Sequence, residues 1–166
     1  PENITRVNTD VVSFKNGQLW VHDANESRGS FYGVSYECGV DFVASQDPTV
    51  KKIFWKLKEI SNAIFVTDKK GIEVYGLDED EVQISQLSES HFSKEEGDFR
   101  ADFRRDMLDK NFGDISDQVQ REITSLLRGS VLKGNAMLIK LRNFDKKEVI
   151  LFSVNVEFSD SQTTVK

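Results

Sequence analysis

Alternation of apolar and polar residues runs through most of this chain and constrains its fold more than any other feature. Residues 98–104 are the clearest case, because Phe99, Ala101 and Phe103 fall on one side and charged residues occupy every position between them. A period of two places successive side chains on opposite faces of a β-strand. We therefore predict a chain built mainly of half-buried strands.

Turn signals separate the alternating segments. Asn16-Gly17 lies between residues 11–15 and 18–22, and this dipeptide accepts the positive φ angles of a tight hairpin turn. The polar residues 68–71 predict a second hairpin. Residues 31–44 predict one strand that turns Cys38 towards the interior, with Gly39 at a bulge or a close backbone approach.

Residues 50–60 predict a strand with one apolar and one largely cationic side. Trp55 is in phase with Ile53 and Leu57, so we expect its ring to pack in the core. The opposite side carries Lys52, Lys56 and Lys58.

A helical period occurs in one place only, over residues 116–127, where Val119, Ile123 and Leu126 share a face. Short strands at turn-marked intervals continue to residue 158. With 166 residues, the chain has the length of one domain. We predict an all-β fold, an antiparallel β-sandwich with one short helix, as a single domain over residues 1–166.

Composition argues against several functional classes. The net charge of -6 gives no basic surface for a nucleic acid backbone, and no apolar run is long enough for a membrane helix. One cysteine and two histidines are too few for a four-ligand Cys/His zinc site. We expect neither nucleic acid nor a membrane as the main partner.

No catalytic, cofactor or metal motif is complete. Residues 129–134 have the glycine spacing of a phosphate loop, but Asn135-Ala136 replaces its Lys-Ser/Thr end. The acidic residues at 78–80 and 109–114 lack the order of a calcium loop. No Gly-x-Ser-x-Gly elbow is present. We predict no enzyme, no cofactor and no metal site.

Eight short segments together carry a family resemblance through their order along the chain. They are residues 17–22, 25–28, 31–33, 40–43, 48–54, 93–101, 127–129 and 148–154. In this order they resemble the C-terminal region of neck and tail structural proteins of crAss-like and related tailed phages, of the muzzle or stabilisation type. This resemblance implies a non-enzymatic structural role in the virion, production in the bacterial host cytoplasm, and a chain that corresponds to the C-terminal part of a larger virion protein.

Such a role requires contacts with other virion proteins and with further copies of the chain. We predict that exposed cations make these contacts, because complementary charge orients partners. The candidates are Lys52, Lys56, Lys58, Arg100 and Arg104.

The alternative function is a carbohydrate-binding or host-receptor-binding module, because exposed aromatic rings stack on sugars. The alternation leaves a set of aromatic residues that could form such a platform. These are Trp20, Tyr32, Tyr36 and Tyr75.

Overall fold

A computed structural model describes residues 1–76, 82–106 and 130–161. Antiparallel pairs join the strands of every sheet in these ranges, and their only helix is a 3-10 turn at Glu89–His91. The all-β, antiparallel sandwich-like fold is therefore confirmed. The strands are β1 (Asn3–Val7), β2 (Asp10–Lys15), β3 (Gln18–Val21), β4 (Ser30–Phe31), β5 (Val34–Ser35), β6 (Cys38–Ala44), β7 (Lys52–Ser61), β8 (Val66–Tyr75), β9 (Val82–Ser85), β10 (Ser93–Glu95), β11 (Asp98–Asp102), β12 (Lys133–Gly134), β13 (Ala136–Asn143) and β14 (Leu151–Asp160).

The chain divides into two compact units. Unit 1 comprises Pro1–Cys38 and Phe144–Val149, and unit 2 comprises Gly39–Asn143 and Ile150–Lys166. A division into compact units does not by itself decide how many domains a chain has, so the single domain over residues 1–166 stays a prediction.

Unit 1 contains a three-stranded meander, β1-β2-β3, and the small hairpin β4–β5. Asn16 and Gly17 have φ values of 52° and 71°, as a type I′ turn requires, so the predicted β2–β3 hairpin is confirmed. Tyr32 and Gly33 repeat this geometry, with φ values of 52° and 76°. Because they turn the chain back, residues 31–44 form three short strands, and the prediction of one strand is wrong.

Unit 2 contains two sheets. In the first, β7 is central: β14 pairs along one of its edges, and β11 and β12 pair along the other. Strand β10 extends that sheet beyond β11. The second sheet has the order β6-β13-β8-β9.

Asn135 connects the two sheets of unit 2. Gly134 pairs with β7, Ala136 pairs with Tyr75 of β8, and the Asn135 backbone N–H donates to the Tyr75 carbonyl at 2.7 Å. A side chain at Gly134 would meet the Tyr75 carbonyl oxygen at 2.5 Å. The crossing therefore needs glycine at this position, because the backbones of residues 134 and 75 approach each other closely.

Alternate residues of the central strands form the core of unit 2. Strand β13 buries every second side chain, and Phe99 and Ala101 of β11 are buried as predicted. The remaining apolar core residues are Phe54, Leu57, Phe65, Ile72, Val74, Leu87, Leu132, Met137, Ile139 and Leu141.

A bulge in β7 overturns the expected burial of Trp55. Lys56 pairs with Glu157 and Phe54 with Phe158, so Trp55 is an extra residue in the ladder. A bulge reverses which side of a strand faces inward. Phe54 is consequently buried and Trp55 is 47% exposed, with its indole N–H donating to Ser159 Oγ at 3.0 Å.

Two further expectations are wrong. Residues 66–75 form one continuous strand, β8, because β13 pairs with both of its halves; the predicted hairpin at residues 68–71 does not form.

Cys38 is exposed at the start of β6, where we expected an interior position. Gly39 does lie at a close approach, since a Cβ there would be 2.6 Å from the Leu141 carbonyl oxygen. The predicted helix at 116–127 lies outside the described residues.

Candidate functional site

The predicted cationic surface lies where β7 and β11 pair. Lys58 stands opposite Arg100 and Lys56 opposite Asp102. The Lys58 ammonium lies 2.7 Å from Asp98 Oδ2, and the Lys56 ammonium lies 3.4 Å from Asp102 Oδ1. The hydrogen bond from Lys58 lowers the pKa of Asp98 below its ordinary value of 3.8, and Arg100 adds to this effect.

The two predicted arginines also have partners inside unit 2. Arg100 lies 2.7 Å from Glu95 and 3.9 Å from Glu96. Arg104 Nη1 lies 2.6 Å from His91 Nε2. Because acidic or imidazole groups already face these cations, this surface is a mixed-charge network rather than a patch of unpaired positive charge.

Lys52 differs from the other predicted contact residues because it is 1% exposed. Its ammonium donates to the carbonyl oxygens of Asp47, Val50 and Asn135, the latter two at 2.9 and 3.4 Å. A buried cation whose protons are taken by backbone oxygens stabilises the chain that surrounds it. The structure therefore places Lys52 inside the fold, and not on a contact surface.

The predicted aromatic platform is divided between the units. Trp20 and Tyr32 of unit 1 meet edge to face, with ring centroids 5.6 Å apart and planes at 86°. Tyr36 is exposed beside Phe31, with planes at 57°. Tyr75 belongs to unit 2, and the hydrogen bond that its hydroxyl donates to Glu73 raises its pKa. None of these measured pairs is coplanar.

Beneath Tyr32 lies a polar cluster that the sequence did not predict. The Ser13 hydroxyl oxygen is 2.6 Å from His22 Nε2 and 3.1 Å from the Tyr32 hydroxyl. Ser13 is completely buried, so its oxygen is inaccessible to a substrate even though its distance to the imidazole suits a nucleophile and base. The cluster instead fastens the β4–β5 hairpin to the meander.

A cavity of about 380 Å³ lies next to this cluster, and all of its lining residues fall between Trp20 and Gly33. The Trp20 and Tyr32 rings and the His22 imidazole contribute to it, together with Asp23 and Arg28. This volume is within the usual range for small-molecule sites. Unit 1 thus has a cavity with both aromatic and polar walls.

One face of the meander is largely apolar, and most of its apolar residues are exposed. Strand pairing puts Phe14 beside Leu19 and Val12 beside Val21, and residues that pair directly share a face. The exposed fractions are 53% for Val7, 43% for Phe14, 59% for Leu19 and 47% for Val21, whereas Val12 is buried. By register Asn3 and Thr5 lie on the same face. We call Val7, Val12, Phe14, Leu19 and Val21 the apolar face. The Asn16-Gly17 turn alone fixes the Phe14–Leu19 pair, so this face was in principle predictable.

Glu59 and Asp106 are the two buried acidic residues of the described chain, and Glu59 is the more deeply buried, with 0% exposure. One oxygen accepts from the Phe65 backbone N–H at 3.1 Å, and the other has no hydrogen-bond partner in the described part of the chain. Burial raises the pKa of this carboxyl from 4.5 to about 7. The alternation of β7 carries a signal for this position, because Glu59 is two residues from Leu57 and so in phase with the apolar side of the strand.

Within the described residues no three His, Cys, Asp or Glu side chains form a group suited to a metal ion. The acidic segments at 78–80 and 109–114 lie outside those residues. In the same ranges no helix is long and apolar enough to cross a membrane.

Comparison with known proteins gives no assignment: no family model matches the chain, and no curated protein matches it. The resemblance to phage neck and tail proteins therefore stays a prediction.

Proposed function

We propose that this chain is a non-enzymatic structural component of a tailed-phage virion, in the neck or tail, that acts through contacts with further copies of itself and with other virion proteins. The apolar face of unit 1 carries this proposal. Exposed apolar surface on one side of a sheet is costly in water, and contiguous patches of this kind mark protein contacts.

A second copy of the chain is the partner that best fits the apolar face. Its only charged member by position is Asp10, which pairs with Val7 at one end. Two identical faces can therefore meet without bringing several like charges together. Sheets pack face to face through such side chains, and a two-fold pairing of one patch with itself closes.

The resemblance to virion proteins supports the same role. Proteins of the neck and tail work as assemblies of many copies, and a β-rich chain with an uncovered sheet face suits that task. The mixed-charge network around Lys58 and Arg100 has complementary pairs inside unit 2, so it adds solubility and orientation more than affinity.

Sedimentation velocity of the full chain tests the proposed contact. The wild-type chain should sediment as a dimer or larger species, and Leu19→Lys should sediment as a monomer because it places a charge on the apolar face, at its most exposed residue. The matched control is Val43→Lys, at a residue of β6 that is 61% exposed in unit 2. This control should sediment like the wild-type chain.

Either of two results would contradict the contact: a wild-type chain that is monomeric at every concentration, or a Leu19→Lys variant that associates as strongly as the wild-type chain.

The virion placement has a separate test. In a lysate of the phage that encodes it, the chain should band with intact particles in a density gradient. Recovery only in the soluble fraction would refute that placement.

A further inference from the structure

The cavity of unit 1 combines aromatic walls with polar groups that have no protein partner. Trp20 lines the cavity, and its buried indole Nε1–H has no hydrogen-bond partner in the described part of the chain. His22 also lines the cavity; one of its nitrogens contacts Ser13, and no partner among the described residues contacts the other. A ligand with hydroxyl groups could satisfy the second His22 nitrogen, whereas the Trp20 Nε1–H is buried and out of a ligand's reach.

The cavity walls carry balanced charge. Arg28 Nη1 lies 3.1 Å from Asp23 Oδ1, so the one cation and the one carboxylate of the lining neutralise each other. The other polar wall residues, including Asn25 and Ser27, are uncharged. This arrangement favours a neutral ligand over an anion or a cation, since a charged ligand would have to compete with the existing ion pair.

The rings are held in fixed positions. Tyr32 contacts Trp20 and His22 edge to face, at centroid distances of 5.6 and 5.7 Å, and the Lys15 ammonium lies 4.4 Å from the centre of the Tyr32 ring. The Gly33 backbone lies so close to the indole that an added Cβ would be only 3.3 Å from the Trp20 ring. The hairpin therefore holds the indole in place before any ligand arrives, which lowers the entropy cost of binding.

From these observations we infer that the cavity binds a neutral saccharide, of one or two sugar units. Sugars present apolar C–H faces to aromatic rings and hydroxyl groups that both donate and accept hydrogen bonds. The cavity supplies the rings of Trp20 and Tyr32, the His22 imidazole, and the Asp23 carboxylate as an acceptor. This site is distinct from the apolar face, so its failure would leave the assembly proposal intact.

The two tryptophans of the chain provide a probe and an internal reference. Trp20 lies in the cavity, whereas the Trp55 indole is already bonded to Ser159 in unit 2. In a heteronuclear NMR titration of the full chain with methyl glucoside, methyl galactoside and N-acetylglucosamine, at least one sugar should shift the Trp20 indole resonance saturably. The Trp55 resonance should stay in place.

Two variants make the test specific. Trp20→Phe keeps an aromatic ring but removes part of the aromatic wall, and should weaken binding about tenfold, as measured by calorimetry; Trp55→Phe should bind as the wild-type chain does. Asp23→Asn leaves Arg28 without its carboxylate. Asp23 is exposed with a φ of 57°, which Asn tolerates, so this variant should fold.

Inorganic phosphate serves as the anionic control. Phosphate should leave the Trp20 resonance of the wild-type chain unchanged and should shift it in Asp23→Asn. The inference is overturned if no sugar shifts the Trp20 resonance, if Trp20 and Trp55 shift together, or if phosphate binds the wild-type cavity more tightly than the sugars.

Discussion

Unit 2 buries the apolar residues of its central strands, whereas unit 1 leaves most of its apolar strand residues exposed. Leu57, Ile72 and Ile139 of unit 2 have no exposed surface at all, while Val12 is the only apolar residue of unit 1's described strands in the buried class. The two units have similar alternation in sequence. Alternation therefore determines that strands form, but it does not determine whether their apolar faces are covered within the chain.

This difference has an energetic meaning. Burial of a large apolar side chain stabilises a fold by about 1.5–3 kcal/mol, and unit 1 obtains little of that stabilisation from its own residues. Its tight turns and the Ser13 cluster fix the strand arrangement. The remaining apolar area is available to a second copy of the chain, which is the basis of the proposed assembly role.

The largest expected effect compares two leucines. Leu57→Ala should lower the free energy of unfolding by about 4 kcal/mol, because it opens a cavity in the core of unit 2. Leu19→Ala should change it by less than about 0.5 kcal/mol in the dissociated chain, because Leu19 is already exposed. Urea denaturation at low protein concentration measures both. Equal losses would show that unit 1 has a core of its own.

A second prediction concerns the buried carboxyl of Glu59. Its folded-state pKa of about 7 exceeds the ordinary 4.5, so the folded chain binds its proton more tightly. The stability that this group contributes is complete below pH 4.5 and is lost as the pH rises through about 7. The loss should be about 3 kcal/mol, measured by urea denaturation across this pH range.

Glu59→Gln should abolish that pH-dependent loss, since the amide does not titrate. The matched control is Glu157→Gln at an exposed position of β14, which should keep the wild-type slope. If Glu59→Gln retained the full loss of stability with rising pH, another group would be responsible.

A third prediction sharpens the contrast between buried and exposed lysines on β7. Lys52→Met removes the ammonium that donates to three backbone carbonyl oxygens, of which those of Asp47 and Asn135 keep a second donor, and should destabilise the chain by about 2 kcal/mol. Lys56→Met removes a partly exposed ion pair and should cost less than about 1 kcal/mol. Thermal unfolding by circular dichroism distinguishes them. If Lys52→Met left the unfolding temperature unchanged, the ammonium would not be held by these oxygens.

The smallest effect concerns Asp98. Because its pKa is lowered, the stability that it contributes changes with pH in the opposite direction to that of Glu59. Stability from the Lys58–Asp98 contact is present above the ordinary pKa of 3.8 and is lost as the pH falls through the lower folded-state value. Asp98→Asn should remove this acid-side loss, and added salt should weaken the wild-type effect. An NMR titration in which Asp98 has an ordinary pKa would contradict this prediction.

The sequence predicted several parts of the fold in which local chemistry decides the outcome, although the local turn at Tyr32-Gly33 was missed. The Asn16-Gly17 turn, the burial of Phe99 and Ala101, and the antiparallel strand class all follow from residues close together in the chain. Where non-local pairing decides, the predictions were wrong. Pairing with β13 makes β8 continuous, and the bulge in β7 exposes Trp55.

The candidate sites were predictable to a smaller extent. The sequence identified Lys52 as a cation on a strand, but not that Asp47, Val50 and Asn135 surround it in the fold. It identified Trp20 and Tyr32 as aromatic residues, but not the hairpin that holds them edge to face. These arrangements depend on contacts between residues distant in sequence, which alternation does not encode.

Coverage of the apolar face by a second copy is the central claim, and thiol reactivity at position 19 tests it most directly. In a chain carrying Leu19→Cys and Cys38→Ser, the new thiol should react slowly with an aromatic disulfide reagent at high protein concentration. Its reaction should become fast on dilution, as copies separate. A thiol that reacts equally fast at all concentrations would show that nothing covers this face and would contradict the account.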